Sequence, residues 1–394
     1  MSRLPSRLRI NSYVANMPPS GIRKFFDLVL GMEDVISLGV GEPDFPTPWR
    51  MCDAAVDCMQ RGYTSYTSNL GMLPLRSAIA DYLRAEFGVS YDPETEILVT
   101  NGVSEALDLV MRALLEPGDE VLVAEPCYVA YAACVELAGG RAVMIRTRAE
   151  DEFKLRADDV EAAITDRTRG ILFGYPNNPT GAVMTREDLQ PIAEVVARYG
   201  LVCISDEIYA HLTYNGTHTC FASLPGMKEH TVLLNGFSKA YAMTGWRLGY
   251  ACAPAPVIEA MNRIHAYTAL CAPILAQFAA LEGLRQCRPE RDAMIESYDQ
   301  RRRYVLAALK EMGLDCFEPK GAFYVFPSVR STGLDSEEFA ERLLNSQKVA
   351  VVPGNAFGAS GAGHVRCCYA TSMENLRAAM ERLAAFLDSL PRQV

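Results

Sequence analysis

Long apolar runs are missing from this 394-residue chain: no stretch approaches the length needed to cross a bilayer. The opening MSRLPSRLRINSYVANMPPS carries early arginines but no apolar segment of signal-peptide length, so a cytoplasmic protein is expected. Also missing is any excess of positive charge. With 38 Lys and Arg against 48 Asp and Glu the formal net charge is -10, which speaks against a general nucleic-acid or anionic-membrane surface, because either needs a concentrated basic face. Histidine is scarce, and His211, His218, His230, His265 and His364 stand at no zinc-ligand spacing with one another or with the cysteines. The 12 cysteines never form a Cys-x-x-Cys pair, so neither a disulfide framework nor a metal site is expected, and the thiols read as small core residues. There is no internal repeat, no Walker sequence and no well-placed Gly-x-Gly-x-x-Gly, which removes the usual nucleotide signatures.

What is present is a globular composition, 49% apolar and 22% charged, on a chain long enough for a large domain with a smaller companion. From about Glu94 to Tyr250, short β-branched runs alternate with amphipathic stretches, the pattern of a mostly parallel sheet with helices on both faces. EILVT, EVLVAE, GILFGY, LVCISDE and TVLLNGF are the best strands, and their near-continuous apolar character fits burial on both sides. Leu107, Val110, Met111 and Leu114 mark a helix after the first of them, with Ser104 near its start. TREDLQPIAEVVARYG starts on a capping-like Thr185 but carries Pro191, which predicts a kink or a late start. Beyond about Ala280 come long charged helices, a strand pair around GAFYVFP and VAVVPG, and a final helix. The expected fold is therefore an α/β large domain over 46–284 plus a smaller α+β domain over 285–394. Residues 1–45 supply an N-terminal arm and a small-domain segment.

In an open α/β sheet, ligands sit beyond the carboxyl ends of the strands, so the residues just after each strand carry the chemistry. NGVSEA follows the first strand, a glycine turn into a helix whose free N–H groups and dipole favour an anion. PNNPTG follows GILFGY, Asp206 and Tyr209 follow LVCIS, and Ser238 and Lys239 follow TVLLNGF, with an apolar helix-like run and Arg247 just beyond. Singly, each has a bland explanation as a solvated lysine, a plain turn, a helix cap or a core aromatic. Together, at one edge of one sheet, they describe a ligand with an aldehyde for a lysine, a phosphate for an arginine and a helix start, a phenolic oxygen and a ring nitrogen. That ligand is pyridoxal 5'-phosphate, whose protonated ring drains electrons from a substrate's α-carbon.

The chain resembles class I/II aminotransferases of the aspartate aminotransferase superfamily, fold type I of the pyridoxal-phosphate enzymes. The likeness runs through SLGVGEPDFPTP, YTSNLGMLPLR, PNNPTGAV, SDEIYAHLTY, SKAYAMTGWRLGY, VAVVPGNAFG and HVRCCYATSMENL, nearly the full length. It is strongest to the prokaryotic aspartate and aromatic amino-acid branch. The resemblance implies that Lys239 forms the internal Schiff base and later serves as the base for the proton shift. Ser238, Arg247 and the backbone around Val103 and Ser104 would bind the phosphate. Tyr128 would stack on the ring, Asn178 and Tyr209 would hold the phenolic oxygen, and Asp206 would face the ring nitrogen. Tyr66 matches a tyrosine that reaches the phosphate of a neighbouring subunit, implying a homodimer with shared sites. Arg366, with Gly41 and Asn178, would hold the substrate carboxylate.

The same lysine and fold also serve β-lyases and cyclopropane-forming synthases, and a binding protein could use such a domain as a sensor. Retention of Lys239, Asp206, Arg247 and Arg366 together favours catalysis, and transamination of an aromatic L-amino acid to a 2-oxo acid such as 2-oxoglutarate is the expectation. Aspartate and alanine are the competing donors. No metal, membrane or nucleic acid is called for.

Overall fold

The computed structural model describes residues 32–391 and, before them, Ile10, Asn11, Val14, Ala15 and Met17, so the expected N-terminal arm lies mostly outside the described residues. Strand β1 (Ile36–Ser37) is followed by helices α1 (Trp49–Gln60) and α2 (Leu73–Phe87). The central body then alternates β2 (Ile97–Thr100), α3 (Val103–Leu114), β3 (Glu120–Glu125), α4 (Ala130–Leu137), β4 (Arg141–Arg146), α5 (Ala157–Ala162), β5 (Thr168–Gly174), α6 (Arg186–Tyr199), β6 (Val202–Asp206), β7 (Thr231–Gly236) and β8 (Gly249–Cys252). Helices α7 (Ala255–Thr268), α8 (Ile274–Gln286) and the long α9 (Arg288–Glu311) lead to β9 (Tyr324–Val325), α10 (Ser336–Gln347), β10 (Val349–Ala350), β11 (Val352–Pro353), β12 (Val365–Cys368) and α11 (Met373–Ser389).

Strands β2 to β8 form one seven-stranded sheet in the order β2-β8-β7-β6-β5-β3-β4. Only β8 runs against the others, pairing antiparallel with both β2 and β7, so β2, β3, β5, β6 and β7 all end at the same edge. The continuous apolar runs are explained by burial on two faces. Leu122, Ile171, Phe173 and Cys203 face the core made with α6, through Leu189, Ile192 and Val196. Their neighbours Val121, Val123, Leu172 and Ile204 face the core made with α3 and α7, through Leu107, Val110, Met111, Ile258 and Met261. Each such side chain contributes roughly 1.5–3 kcal/mol by leaving water. The alternation fixes the register, since a one-residue slip would exchange the two faces of a strand.

Three expectations need correction. Pro191 does not give α6 a late start: the helix begins at Arg186, because Thr185 and Asp188 form a capping box that satisfies the first turn. The run after Lys239 is not a helix. Ala242 and Arg247 take left-handed backbone angles (φ 52 and 53), and only a short 3-10 turn, Thr244–Trp246, separates them. The segments GAFYVFP and VAVVPG do not pair with each other. Their strands β9 and β11 both flank β12 in an antiparallel sheet, while β10 pairs parallel with β1.

All twelve cysteines are free thiols, most of them buried. Helices α9, α10 and α11 and the two small sheets pack around Phe323, Tyr324, Phe339, Leu343 and Phe386, a cluster that Tyr209, Leu212 and Tyr214 also join. No helix among the described residues is long and apolar enough to cross a membrane.

Candidate active site

The shared carboxyl edge of the sheet opens into a cavity of ≈ 300 Å³. At the end of β2, Gly102 turns the chain into α3 with φ +81, and a Cβ there would stand 2.8 Å from the Arg247 guanidinium. Glycine is needed for both reasons. Val103 and Ser104 head the helix, where backbone N–H groups have no partner within it, and both line the cavity. Arg247 reaches the same end from the start of β8, donating to the Thr244 carbonyl at 3.1 Å.

Beyond β7, Ser238 and Lys239 enter the cavity. The Lys239 ammonium donates to the Gly41 carbonyl at 2.7 Å. Burial pushes its pKa down to about 8, with Arg366 and Arg247 acting in the same direction. At the end of β6, Asp206 accepts a hydrogen bond from the Tyr131 hydroxyl at 2.7 Å and from the Ile208 N–H at 3.2 Å. Burial is the larger influence and lifts its carboxyl to about 6.

After β5, the two asparagines of PNNPTG divide the work. Asn177 ties the loop, accepting from the Thr180 N–H and hydroxyl, while Asn178 lines the cavity and accepts from Arg366 at 2.8 Å. Arg366, on β12, also donates to the Gly39 carbonyl at 2.6 Å. Its guanidinium lies between the rings of Tyr324 and Phe357, 4.5 and 4.8 Å from their centroids, and its Nε is buried without a partner. Tyr209 shares a 2.7 Å hydrogen bond with Tyr324, and Tyr128 lines the cavity edge-on to Tyr131. Burial raises the Tyr128 phenol, and a hydrogen bond with Ser104 opposes the rise.

Eleven expected residues thus meet in one cavity: Gly41, Val103, Ser104, Tyr128, Asn178, Asp206, Tyr209, Ser238, Lys239, Arg247 and Arg366. Tyr66 does not join them. It is 82% exposed, in a loop held by Gln277, which bonds Thr67 and the Met72 N–H. Sequence reasoning missed Tyr131 and Tyr324. Tyr131 lies three residues beyond Tyr128 at the start of α4, a spacing that could have suggested a shared face. Tyr324 comes from a separate sheet and carried no local signal.

Residues 33–383 match the family described as aminotransferase class I and II. The chain belongs to that family. It is 52% identical to YugH of Bacillus subtilis over 96% of this chain and 98% of that protein. It is 44% identical to aromatic-amino-acid aminotransferase 2 of Thermococcus litoralis, over 94% of this chain and 96% of the relative. Among solved structures it is similar to the aspartate aminotransferase from Thermus thermophilus with maleate, at 40% identity and a TM-score of 0.92, covering 96% of this chain and 100% of the other. The aminotransferase fold expected from the sequence is the fold observed, and amino-group transfer is the activity it carries.

Proposed function

We propose that this aminotransferase uses pyridoxal 5'-phosphate to move the amino group of an aromatic L-amino acid to a 2-oxo acid such as 2-oxoglutarate, by a ping-pong mechanism. One observation carries the reading. Four charges meet in the cavity, and each is bonded only to neutral groups: Lys239 to a carbonyl, Arg247 to a carbonyl, Arg366 to an amide and a carbonyl, and Asp206 to a phenol and an N–H. Asp206 and Arg366 are buried and Lys239 is partly so, and buried charges normally find partners within the chain, while Arg247 lines the same cavity from an exposed position. These are set out as the polar complement of a ligand with an aldehyde, a phosphate and a basic ring nitrogen, together with a substrate carboxylate.

In this reading Arg247, Ser238 and the N–H groups at Val103 and Ser104 hold the phosphate, Asp206 faces the ring nitrogen, and Asn178 and Tyr209 face the ring oxygen. Tyr128 lies against the ring. When bound, the cofactor supplies an aldehyde that carries the amino group and a ring that withdraws electrons from the substrate's α-carbon. Asp206 retains the proton on the ring nitrogen, which a carboxylate in a buried site does better than water. Tyr131 holds Asp206 in place. With a pKa of about 8, roughly a tenth of the Lys239 side chains are neutral at pH 7, so the amine is poised to take the α-proton and return it. Arg366 binds the α-carboxylate through its planar fork: of its five N–H groups one on each terminal nitrogen is engaged, by Asn178 and Gly39, and the others are left as donors.

The aromatic preference is supported by the lining. Ile208 and Tyr324 offer apolar and aromatic surface beyond the residues assigned to the cofactor, and the cations among the described lining residues are Lys239, Arg247 and Arg366, each already assigned. The relative from T. litoralis carries the aromatic name, while the T. thermophilus relative is an aspartate aminotransferase, so an aspartate donor is the competing reading. Tyr66, exposed on the single chain, would complete the phosphate site of a second copy, giving a homodimer. The division into a domain over 46–284 and one over 285–394, and a cytoplasmic setting, belong to the same proposal. The test is purified protein loaded with pyridoxal 5'-phosphate and assayed with a panel of amino donors against 2-oxoglutarate. Phenylalanine or tyrosine should lead the panel; a lead for aspartate would move the assignment to that substrate.

A further inference from the structure

Tyr324 touches both ends of the ligand site. Its hydroxyl is 2.7 Å from that of Tyr209, and its ring lies 4.5 Å from the Arg366 guanidinium. Gly41 leaves it room, since a Cβ at that position would fall 2.5 Å from the Tyr324 hydroxyl. We propose that Tyr324 is a positioning residue that couples Arg366 to Tyr209, so that a carboxylate arriving on Arg366 alters the hydrogen bond Tyr209 makes at the cofactor's ring oxygen. The proposal rests on the assignment of Lys239, Tyr209 and Arg366 as anchors of cofactor and substrate.

Each phenol has one proton, so their shared bond has one donor. A guanidinium over the face of the Tyr324 ring favours electron density on that ring and makes its O–H the better donor. Tyr209 then accepts, and its own proton is left for an acceptor in the cavity that both residues line. A carboxylate on Arg366 cancels part of that field and weakens the Tyr324 donation. Burial raises both phenols well above their usual range, so neither is ionised at neutral pH, and the link works through hydrogen-bond strength. The other groups facing the pair are Phe323, edge-on to both rings, Cys368 of β12, Tyr128, and Lys239, whose Nζ is 5.7 Å from the Tyr209 ring. Asn178 provides a parallel link from Arg366, so loss of the Tyr324 hydroxyl should diminish the coupling and leave a remainder.

The experiment follows the visible absorbance of the cofactor-loaded enzyme across pH, with and without 3-phenylpropionate, a carboxylate that carries no amino group. The carboxylate should displace the pH midpoint of the wild-type band. In Tyr324→Phe, which keeps the ring under Arg366, the displacement should shrink by about half a pH unit, a threefold change in proton affinity, while the Kd of 3-phenylpropionate changes less than about threefold. Tyr324→Leu removes the ring and should weaken 3-phenylpropionate by about 5- to 10-fold. Tyr209→Phe should reduce the displacement as Tyr324→Phe does, and the double variant should add nothing further. A Tyr324→Phe enzyme with the wild-type displacement, or with a lower Tm as its sole change, overturns the coupling. So do additive effects of the two phenylalanine variants. A wild-type protein that takes no visible band overturns the cofactor assignment itself, and the coupling with it.

Discussion

The two walls of the cavity are built on different principles. One is the carboxyl edge of a seven-stranded sheet, where five parallel strands each deliver residues to the same line, and Asp206 and Lys239 sit within two or three residues of strand ends. The other is assembled from two- and four-residue strands, with Arg366 on β12, Tyr324 on β9 and Gly41 beyond β1, held by hydrogen bonds and ring contacts between distant segments. The first wall gets its geometry from a stiff scaffold. The second depends on side-chain contacts, which is suited to a surface that must release one substrate and take up another.

If that contrast holds, substitutions at the sheet edge should strike turnover, and those on the opposite wall should strike substrate affinity. Lys239→Ala should lower kcat by at least about four orders of magnitude and abolish the visible band, measured by donor-panel assay and absorbance. A variant with undiminished transamination would break the comparison at its root. Asp206→Asn should lower kcat by about 10²–10³-fold and, in the cofactor-free protein, raise stability. Its folded-state pKa of about 6 lies above the unfolded value of 3.8, so ionising Asp206 costs the fold stability. That cost is absent below the unfolded value and complete above the folded one. At pH 7.5 denaturant unfolding should therefore show the asparagine variant more stable by about 1–3 kcal/mol.

On the other wall, Arg366→Lys should raise KM for the amino donor by about 10- to 100-fold with a smaller change in kcat, since an ammonium cannot reproduce the two parallel bonds of the fork. A kcat loss exceeding the KM change would merge the two walls into one functional unit. The smallest effect expected is on pH. The rate at which cofactor-free protein captures pyridoxal 5'-phosphate should rise with pH through a midpoint near 8, set by the neutral fraction of Lys239. Arg247→Met should move that midpoint upward by less than about one unit, because Arg247 is a minor influence beside burial.

The same contrast decides how much could be read from the sequence. Strand EVLVAE was legible to the residue, and Asp206, Lys239 and Asn178 were legible because a parallel sheet converts strand ends into a common edge. Tyr324 was not. It meets Tyr209 across 115 residues, through a two-residue strand with no periodicity of its own. The run after Lys239 misled for a related reason: AYAMTGW is apolar enough for a helix, yet its side chains are buried in an irregular turn by the core around Phe237, Tyr241, Met243 and Tyr250. Tertiary packing overrode local propensity there.

That turn has a consequence of its own. Because β8 runs opposite to β7, the chain leaves the edge at Lys239 and comes back to it at Arg247, so the span from 240 to 246 works as a caliper between the two anchors. Adding or deleting a single residue within it would displace one jaw relative to the other while leaving both side chains intact.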